Sequence, residues 1–105
     1  MPENMTEQDF RENLNTKFRV LVDAPRPVEL ELVEVKSYEP KPNEQAGLER
    51  FAIYFNGPGD IYLPQYNYPL EHDKMGQLVI FIVPIGHDER GFRYEAVFNN
   101  MGRRR

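Results

Sequence analysis

Few residues of this 105-residue chain could support metal or cofactor chemistry. The two histidines, His72 and His87, each lie beside carboxylates, but adjacent residues on a strand point to opposite faces, so neither gathers a set of metal ligands. Cysteine is absent, which excludes disulfides and thiolate ligands. We therefore predict no metal site and no cofactor.

Acid–base catalysis has two candidate residues, Glu95 and His72. Glu95 interrupts an apolar stretch, where burial would raise the pKa of its carboxyl group toward the range that proton transfer needs. The ordinary interpretation is a solvent-facing residue in an alternating strand. Ser37 is the sole serine and has no imidazole near it in sequence, so covalent catalysis is poorly supported. We predict no catalytic residue and no enzyme.

A tyrosine-rich stretch offers a surface for binding rather than for catalysis. Tyrosine combines a large contact area with a polar tip and is enriched where proteins bind one another. Pro64 interrupts the strand here, because proline is tolerated only at sheet edges and interruptions, so nearby backbone groups should face outward. We predict that Tyr62, Gln65 and Tyr66 contact a partner; the alternative, rings half-buried at strand ends, stays open.

These residues must be positioned by a sheet, whose central strand is predicted at Leu78–Ile85. This apolar stretch is bounded by Gly76 and Gly86 and is far shorter than the ~20 residues that span a bilayer. Its β-branched content favours a strand over a helix. Because it is apolar at every position, we expect it to be buried on both faces, with the other strands wrapped around it.

The segment Val28–Tyr38 predicts a strand with one irregularity. Its apolar residues alternate through Leu32, and the phase then slips by one residue at Val33. Such a slip is what a β-bulge produces, and bulges help a sheet to bend and close. Short turns between successive strands indicate antiparallel neighbours.

The chain is therefore predicted to be mainly β: a small antiparallel six-stranded barrel or strongly coiled sheet with a short N-terminal helix packed at one end. Thr6 should cap that helix, and Phe10 and Leu14 should pack it on the core. We expect a disordered N-terminus at 1–5, a single β domain at 6–99 and a basic tail at 100–105. Within the domain we predict a helix at 6–15 and strands at 17–22, 28–38, 48–56, 61–72, 77–85 and 91–99.

Several segments resemble an uncharacterised bacterial domain-of-unknown-function family of small β proteins. The resemblance implies a small β fold and supplies no activity, cofactor or catalytic residue. The segments that carry it lie between Phe18 and Asn99, and they are VELxLxEV from Val28, FxIxFxGP from Phe51, LPQxxYxLxH from Leu63, FIVPIG from Phe81 and YEAVFN from Tyr94.

The charge of the chain restricts the classes of partner that it can bind. The formal net charge is −4 although the chain ends in three arginines, and an acidic body repels phosphate backbones, so we expect no nucleic-acid partner. Glu29, Glu31 and Glu34 form an acidic row that could meet a basic partner, although a solvated face is the simpler interpretation. No signal peptide or membrane span is predicted, which favours the cytoplasm and no membrane partner.

These observations favour a non-enzymatic interaction or structural module. Its partner would be another protein or a second copy of the chain, and it could serve as a subunit of a larger bacterial or phage-tail-like assembly. The alternative is a small-ligand-binding β-barrel with weak acid–base chemistry through Glu95 and His72.

Overall fold

A computed structural model describes residues 5–38 and 49–100, with the side chains of Glu49 and Asn100 excepted. One short helix precedes six strands. In chain order these are α1 (Glu7–Arg11), β1 (Lys17–Val20), β2 (Val28–Tyr38), β3 (Glu49–Gly57), β4 (Tyr66–His72), β5 (Gly76–Asp88) and β6 (Gly91–Asn100).

The six strands form one antiparallel sheet that closes into an irregular ring in the order β1-β2-β3-β6-β5-β4. The pairing of β3 with β6 is the longest and runs from Glu49 opposite Asn100 to Gly57 opposite Phe92. The ring closes where β1 meets β4, through Arg19 opposite Glu71 and Val20 opposite Leu70. The predicted fold class, a mainly β ring with a short N-terminal helix, is confirmed.

The β-bulge predicted in β2 is present at the expected residue. Leu32 lies opposite Phe55 and Glu34 opposite Tyr54, so Val33 is the extra residue of the longer strand. Apolar side chains point inward before the bulge at Leu32 and inward again after it at Val35. A second register shift lies in β5, between Pro84 and Gly86. Both irregularities bend the sheet toward closure.

Side chains fill the interior of the ring. Aromatic and branched residues from all six strands meet there, together with Phe10 of α1 and Leu63 from the segment before β4. The largest fully buried side chains are Tyr94, Phe10, Phe18, Phe51, Phe55, Leu30, Leu32, Ile53, Leu70, Ile80, Ile82 and Val28.

The prediction that β5 is buried on both faces is wrong. Leu78, Ile80 and Ile82 point into the core, whereas Val79 is 61% exposed and Phe81 47% exposed on the outside. In a closed ring each strand has one face toward the interior and one toward the outside. The apolar run of the sequence is therefore half core and half surface.

The helix covers one end of the ring. The Thr6 hydroxyl accepts from the Asp9 amide at 3.2 Å and the Asp9 carboxylate accepts from the Thr6 amide at 3.1 Å, which is a capping box and confirms the predicted cap. The Phe10 ring lies 6.0 Å from that of Phe51 and 5.3 Å from that of Phe98, at the start of β3 and the end of β6.

The helix is shorter than the predicted span of 6–15. The Asn13 side chain donates to the Asp9 carbonyl at 2.8 Å, and Asn15 adopts a left-handed φ of 67°. Asparagine tolerates that conformation, which ends helices. The Asn15 amide then bonds to the Leu32 carbonyl at 2.7 Å, which directs the chain into β1.

Other boundaries differ from the predicted ones. The segment 61–65, predicted as the start of a strand, lies outside the sheet because Pro64 cannot join a ladder and Leu63 turns into the core. The strand β1 ends at Val20 rather than at residue 22, since the Val22 amide turns back to the Val20 carbonyl. The strand β5 continues to Asp88 rather than ending at residue 85, because its bulge lets pairing resume.

Of the predicted disordered N-terminus at 1–5 and basic tail at 100–105, residues 1–4 and 101–105 lie outside the described residues, as does residue 48. Met5 packs against the core, and the backbone of Asn100 pairs with Glu49 at the end of β6. Within the ranges 5–38 and 49–100, no helix is both long enough and apolar enough to cross a membrane.

Candidate functional site

The end of the ring opposite α1 is covered by the segment 61–65, which carries the tyrosines singled out in the sequence. Leu63 is buried in the core, and its amide donates to the hydroxyl of the fully buried Tyr94 at 3.1 Å. The Tyr68 hydroxyl donates to the Pro64 carbonyl at 2.5 Å. Two core tyrosines therefore fix the backbone of this segment, and burial raises the pKa of both phenols.

The residues on either side of Leu63 and Pro64 face outward. Tyr62 is 56% exposed and Tyr66 is 64% exposed, and Gln65 between them is also exposed. The rings are thus more exposed than the half-buried alternative supposed. Because hydrogen bonds fix the backbone of this segment, the side chains of Tyr62, Gln65 and Tyr66 project from a fixed support rather than from a free loop.

Two further rings extend this surface along the start of β6 and the end of β5. The Tyr62 ring meets Phe92 edge-on with ring centroids 5.3 Å apart, and the His87 ring lies 4.4 Å from Phe92. We call Tyr62, Gln65, Tyr66, Phe92 and His87 the aromatic cap. The sequence did not point to Phe92 or His87 here, because they join Tyr62 only through the β5–β6 hairpin.

His72 lies inside the other end of the ring, beneath α1, and is 4% exposed. Its Nδ1 accepts from the backbone amides of Lys74 and Met75 at 3.0 and 3.1 Å, and its Nε2 lies 2.8 Å from the Thr16 hydroxyl. The ring packs 4.3 Å from that of Phe18. Burial lowers the pKa of His72, because removing the ring from water penalises its charged form.

Glu95 lies on the outside of β6, where it accepts from the Tyr54 hydroxyl at 2.9 Å. Hydrogen bonding to Tyr38, burial and the Glu95 carboxylate together raise the pKa of Tyr54. The Arg93 guanidinium lies over the same ring at 5.1 Å. Glu95 thus belongs to a group that supports the outer face, on the opposite side of the sheet from His72. The structure does not bring the two together.

The acidic row of β2 has basic neighbours. On β1, Arg19 lies opposite Glu29 and Lys17 opposite Glu31, while Glu34 accepts from Arg93 at 2.8 Å. Cross-strand pairs of opposite charge on a solvated face stabilise a sheet modestly. A shallow groove of about 750 Å³ runs beside this row, and its lining mixes both signs of charge, including Arg26, Arg90 and the carboxylates of Glu29 and Glu31.

The remaining nucleophile and metal candidates have local roles. Ser37 donates to Glu7 and accepts from Arg11 at 3.1 Å, which ties α1 to β2. No group of three or more histidine, aspartate or glutamate side chains is placed to hold a metal ion in the part of the chain that the structure describes.

Comparison with known proteins places the chain in a family whose role is not established. No curated protein and no solved structure matches it. A family described as "Domain of unknown function (DUF6916)" matches residues 5–98, which includes α1, β1 to β5 and most of β6. The chain belongs to the DUF6916 family of domains of unknown function.

Proposed function

We propose that this domain is a non-enzymatic interaction module that binds another protein, or a second copy of itself, through the aromatic cap. The observation that carries the proposal is the contrast within residues 62–66: Leu63 is buried, whereas Tyr62 and Tyr66 on its two sides are mostly exposed. Exposed tyrosines on a fixed backbone lose little conformational entropy on binding, which favours them as interface anchors.

The hydrogen bonds beneath the cap support the same proposal. A loop that is ordered only on binding reduces affinity, because its conformational freedom must be lost at that moment. Here the Leu63 amide and the Pro64 carbonyl are already satisfied by Tyr94 and Tyr68. The backbone that carries the outward rings is therefore already fixed before a partner binds.

The interior gives little support to the small-ligand alternative. The ring encloses packed side chains, and the two proposed acid–base residues point to different sides of the sheet with different hydrogen-bond partners. We extend the proposal to a subunit role in a larger assembly, such as a phage-tail-like one. That extension is supported by the type of protein, a compact β domain with a fixed aromatic surface.

The test is a double substitution, Tyr62→Ser with Tyr66→Ser, compared with Phe81→Ser as a matched control. Phe81 is a half-exposed aromatic residue on the outer face of β5, opposite Asn67, and is not one of the cap residues. Tagged versions of all three proteins are expressed in the native host, and co-purifying proteins are quantified by mass spectrometry. Light scattering of the purified proteins reports self-association.

We expect the double variant to lose its partner, or its dimer, by roughly thirtyfold or more in affinity, as the removal of interface anchors does. Its melting temperature should stay within about 4 °C of the parent, because surface changes cost about 0.5 kcal/mol or less. Capture that survives the double substitution, or that is lost equally in Phe81→Ser, would contradict the assignment of the cap as the binding surface.

A further inference from the structure

The hydrogen bonds around His72 fix the position of its proton. Backbone amides can only donate, so Nδ1, which faces the amides of Lys74 and Met75, must present its lone pair. The proton of the neutral ring is then on Nε2, which donates to the Thr16 hydroxyl at 2.8 Å. In this arrangement both ring nitrogens are satisfied and the ring carries no charge.

The same chain of bonds continues into the helix. The Thr16 hydroxyl donates to the Asn13 carbonyl at 2.6 Å, and the Asn13 amide group donates to the Asp9 carbonyl at 2.8 Å. One buried ring therefore connects the turn between β4 and β5 to α1 and to the segment that leads into β1. A second proton on Nδ1 would set an N–H against two backbone N–H groups in a site that is largely closed to water.

We propose that His72 is an acid-sensitive latch on the turn at 73–75: a second proton on its ring breaks the bonds from the Lys74 and Met75 amides and opens that turn. The Nε2–H bond to Thr16 does not compete with that proton, and α1 is held separately by the fully buried ring of Phe10, which lies within 6.4 Å of the rings of Phe18, Phe51 and Phe98. We therefore expect the opening to be confined to the turn and to leave α1 in place.

The surroundings of His72 have opposing effects on its pKa. Burial, Arg19 and Lys74 disfavour the charged ring, while Asp73 favours it, and burial is the largest effect, so the pKa of His72 is lowered. A released ring in water titrates near 6.5. The latch is consequently at full strength above about pH 6.5 and weakens as the pH falls from there toward the lower pKa of the latched state.

The helix itself adds little in this window. Carboxyl groups ordinarily titrate near pH 4. The pKa of Glu7 is held lower still by its bond to Ser37, against burial, and by Arg11. A change between pH 5 and 7 would therefore report the imidazole rather than the acids of α1.

Amide hydrogen exchange measured by NMR at pH 7.5 and pH 5.5 tests the latch, with rates corrected for intrinsic exchange. The reporters are the amides of Lys74 and Met75, and the reference amides are those of the β3–β6 ladder. In the parent protein we expect reporter protection to fall by up to tenfold per pH unit below about pH 6.5 and to stay below that of the reference at both pH values, because the turn opens locally whereas the ladder opens only when the whole domain unfolds.

Two variants test whether the pH dependence of amide exchange arises from His72. His72→Asn keeps an acceptor near the position of Nδ1 and removes the titrating ring, so its reporters should show no such pH dependence. His87→Asn removes the exposed histidine at the other end of the ring and should behave as the parent does. A parent without the pH dependence, a His72→Asn variant that keeps it, or reporter amides whose protection equals that of the β3–β6 ladder at both pH values would each overturn the latch.

The ¹⁵N shifts of the His72 ring in the parent protein provide a measurement that does not depend on a folded variant. We expect the neutral form protonated on Nε2 at pH 7.5, and a titration whose midpoint coincides with the change in the Lys74 and Met75 amides. Ring protonation without any change in these two amides would refute the latch.

Discussion

At the scale of single residues, this domain uses its buried polar groups to fix backbone that lies outside the sheet. Tyr94 holds the segment 61–65 at one end of the ring, and His72 holds the turn at 73–75 at the other. Within the described residues, no buried side-chain nitrogen or oxygen lacks a hydrogen-bond partner. Each of these groups therefore serves as an anchor, and removing one leaves its backbone partner unsatisfied.

Tyr94→Phe tests the anchor beneath the aromatic cap. The change removes only the hydroxyl and leaves the Leu63 amide without its acceptor, which should cost about 1–3 kcal/mol of unfolding free energy. Urea denaturation measures the loss. Tyr66→Phe, whose ring is mostly exposed, is the control and should stay within about 0.5 kcal/mol. Equal losses of unfolding free energy for the two substitutions would show that the buried hydrogen bond contributes no more to stability than an exposed hydroxyl group does.

At the scale of elements, the tight hairpin between β5 and β6 is packed against the end of β3. Gly91 has a φ of 120°, and a Cβ placed on it would lie 2.0 Å from the Gly57 carbonyl oxygen. That backbone cannot move without disturbing the β3–β6 ladder, in which Gly57 lies opposite Phe92. The hairpin therefore needs glycine both for its backbone conformation and for the close approach of two chains.

Gly91→Ala should lower the unfolding free energy by roughly 2 kcal/mol or more, since it combines a disfavoured φ with a steric overlap. Gly86→Ala is the control: it lies in the same strand as the start of the hairpin, and a Cβ there meets no atom within 4 Å. We expect that variant to differ from the parent by about 0.5 kcal/mol or less. Thermal unfolding of both proteins measures the difference, and a tolerated Gly91→Ala would refute the packing argument.

At the scale of the whole molecule, closure of the ring divides each strand into an inner and an outer face. In β5 both faces are apolar, yet only Leu78, Ile80 and Ile82 are buried. On the outside, Val79 and Phe81 of β5 remain exposed, as does Val97 of β6.

Ile80→Ala and Phe81→Ala separate the two faces. Ile80 is buried, so its truncation should cost about 2–5 kcal/mol through lost burial and the cavity left behind. Phe81 is about half exposed and should cost clearly less. Chemical denaturation of the two variants compares them. A larger loss for Phe81→Ala than for Ile80→Ala would mean that the inner and outer faces of β5 are reversed.

The sequence alone determined the fold class, the bulge at Val33 and the capping role of Thr6. These follow from local rules: alternation with a period of two, one slip in that alternation, and the match of a hydroxyl to first-turn amides. It also marked Tyr62, Gln65 and Tyr66, because aromatic residues around a proline are visible in the order of residues itself.

Only the tertiary structure decided which apolar residues are core and which residues share a site. Alternation cannot show that one face of a wholly apolar strand is exposed, since that depends on closure of the ring. The bond between Thr16 and His72 joins residues 56 positions apart, and no local pattern records it. His72 and Glu95 were predicted as an acid–base pair because their side chains are of types that transfer protons. The sheet places them on opposite faces, because strand parity and register decide where a side chain points.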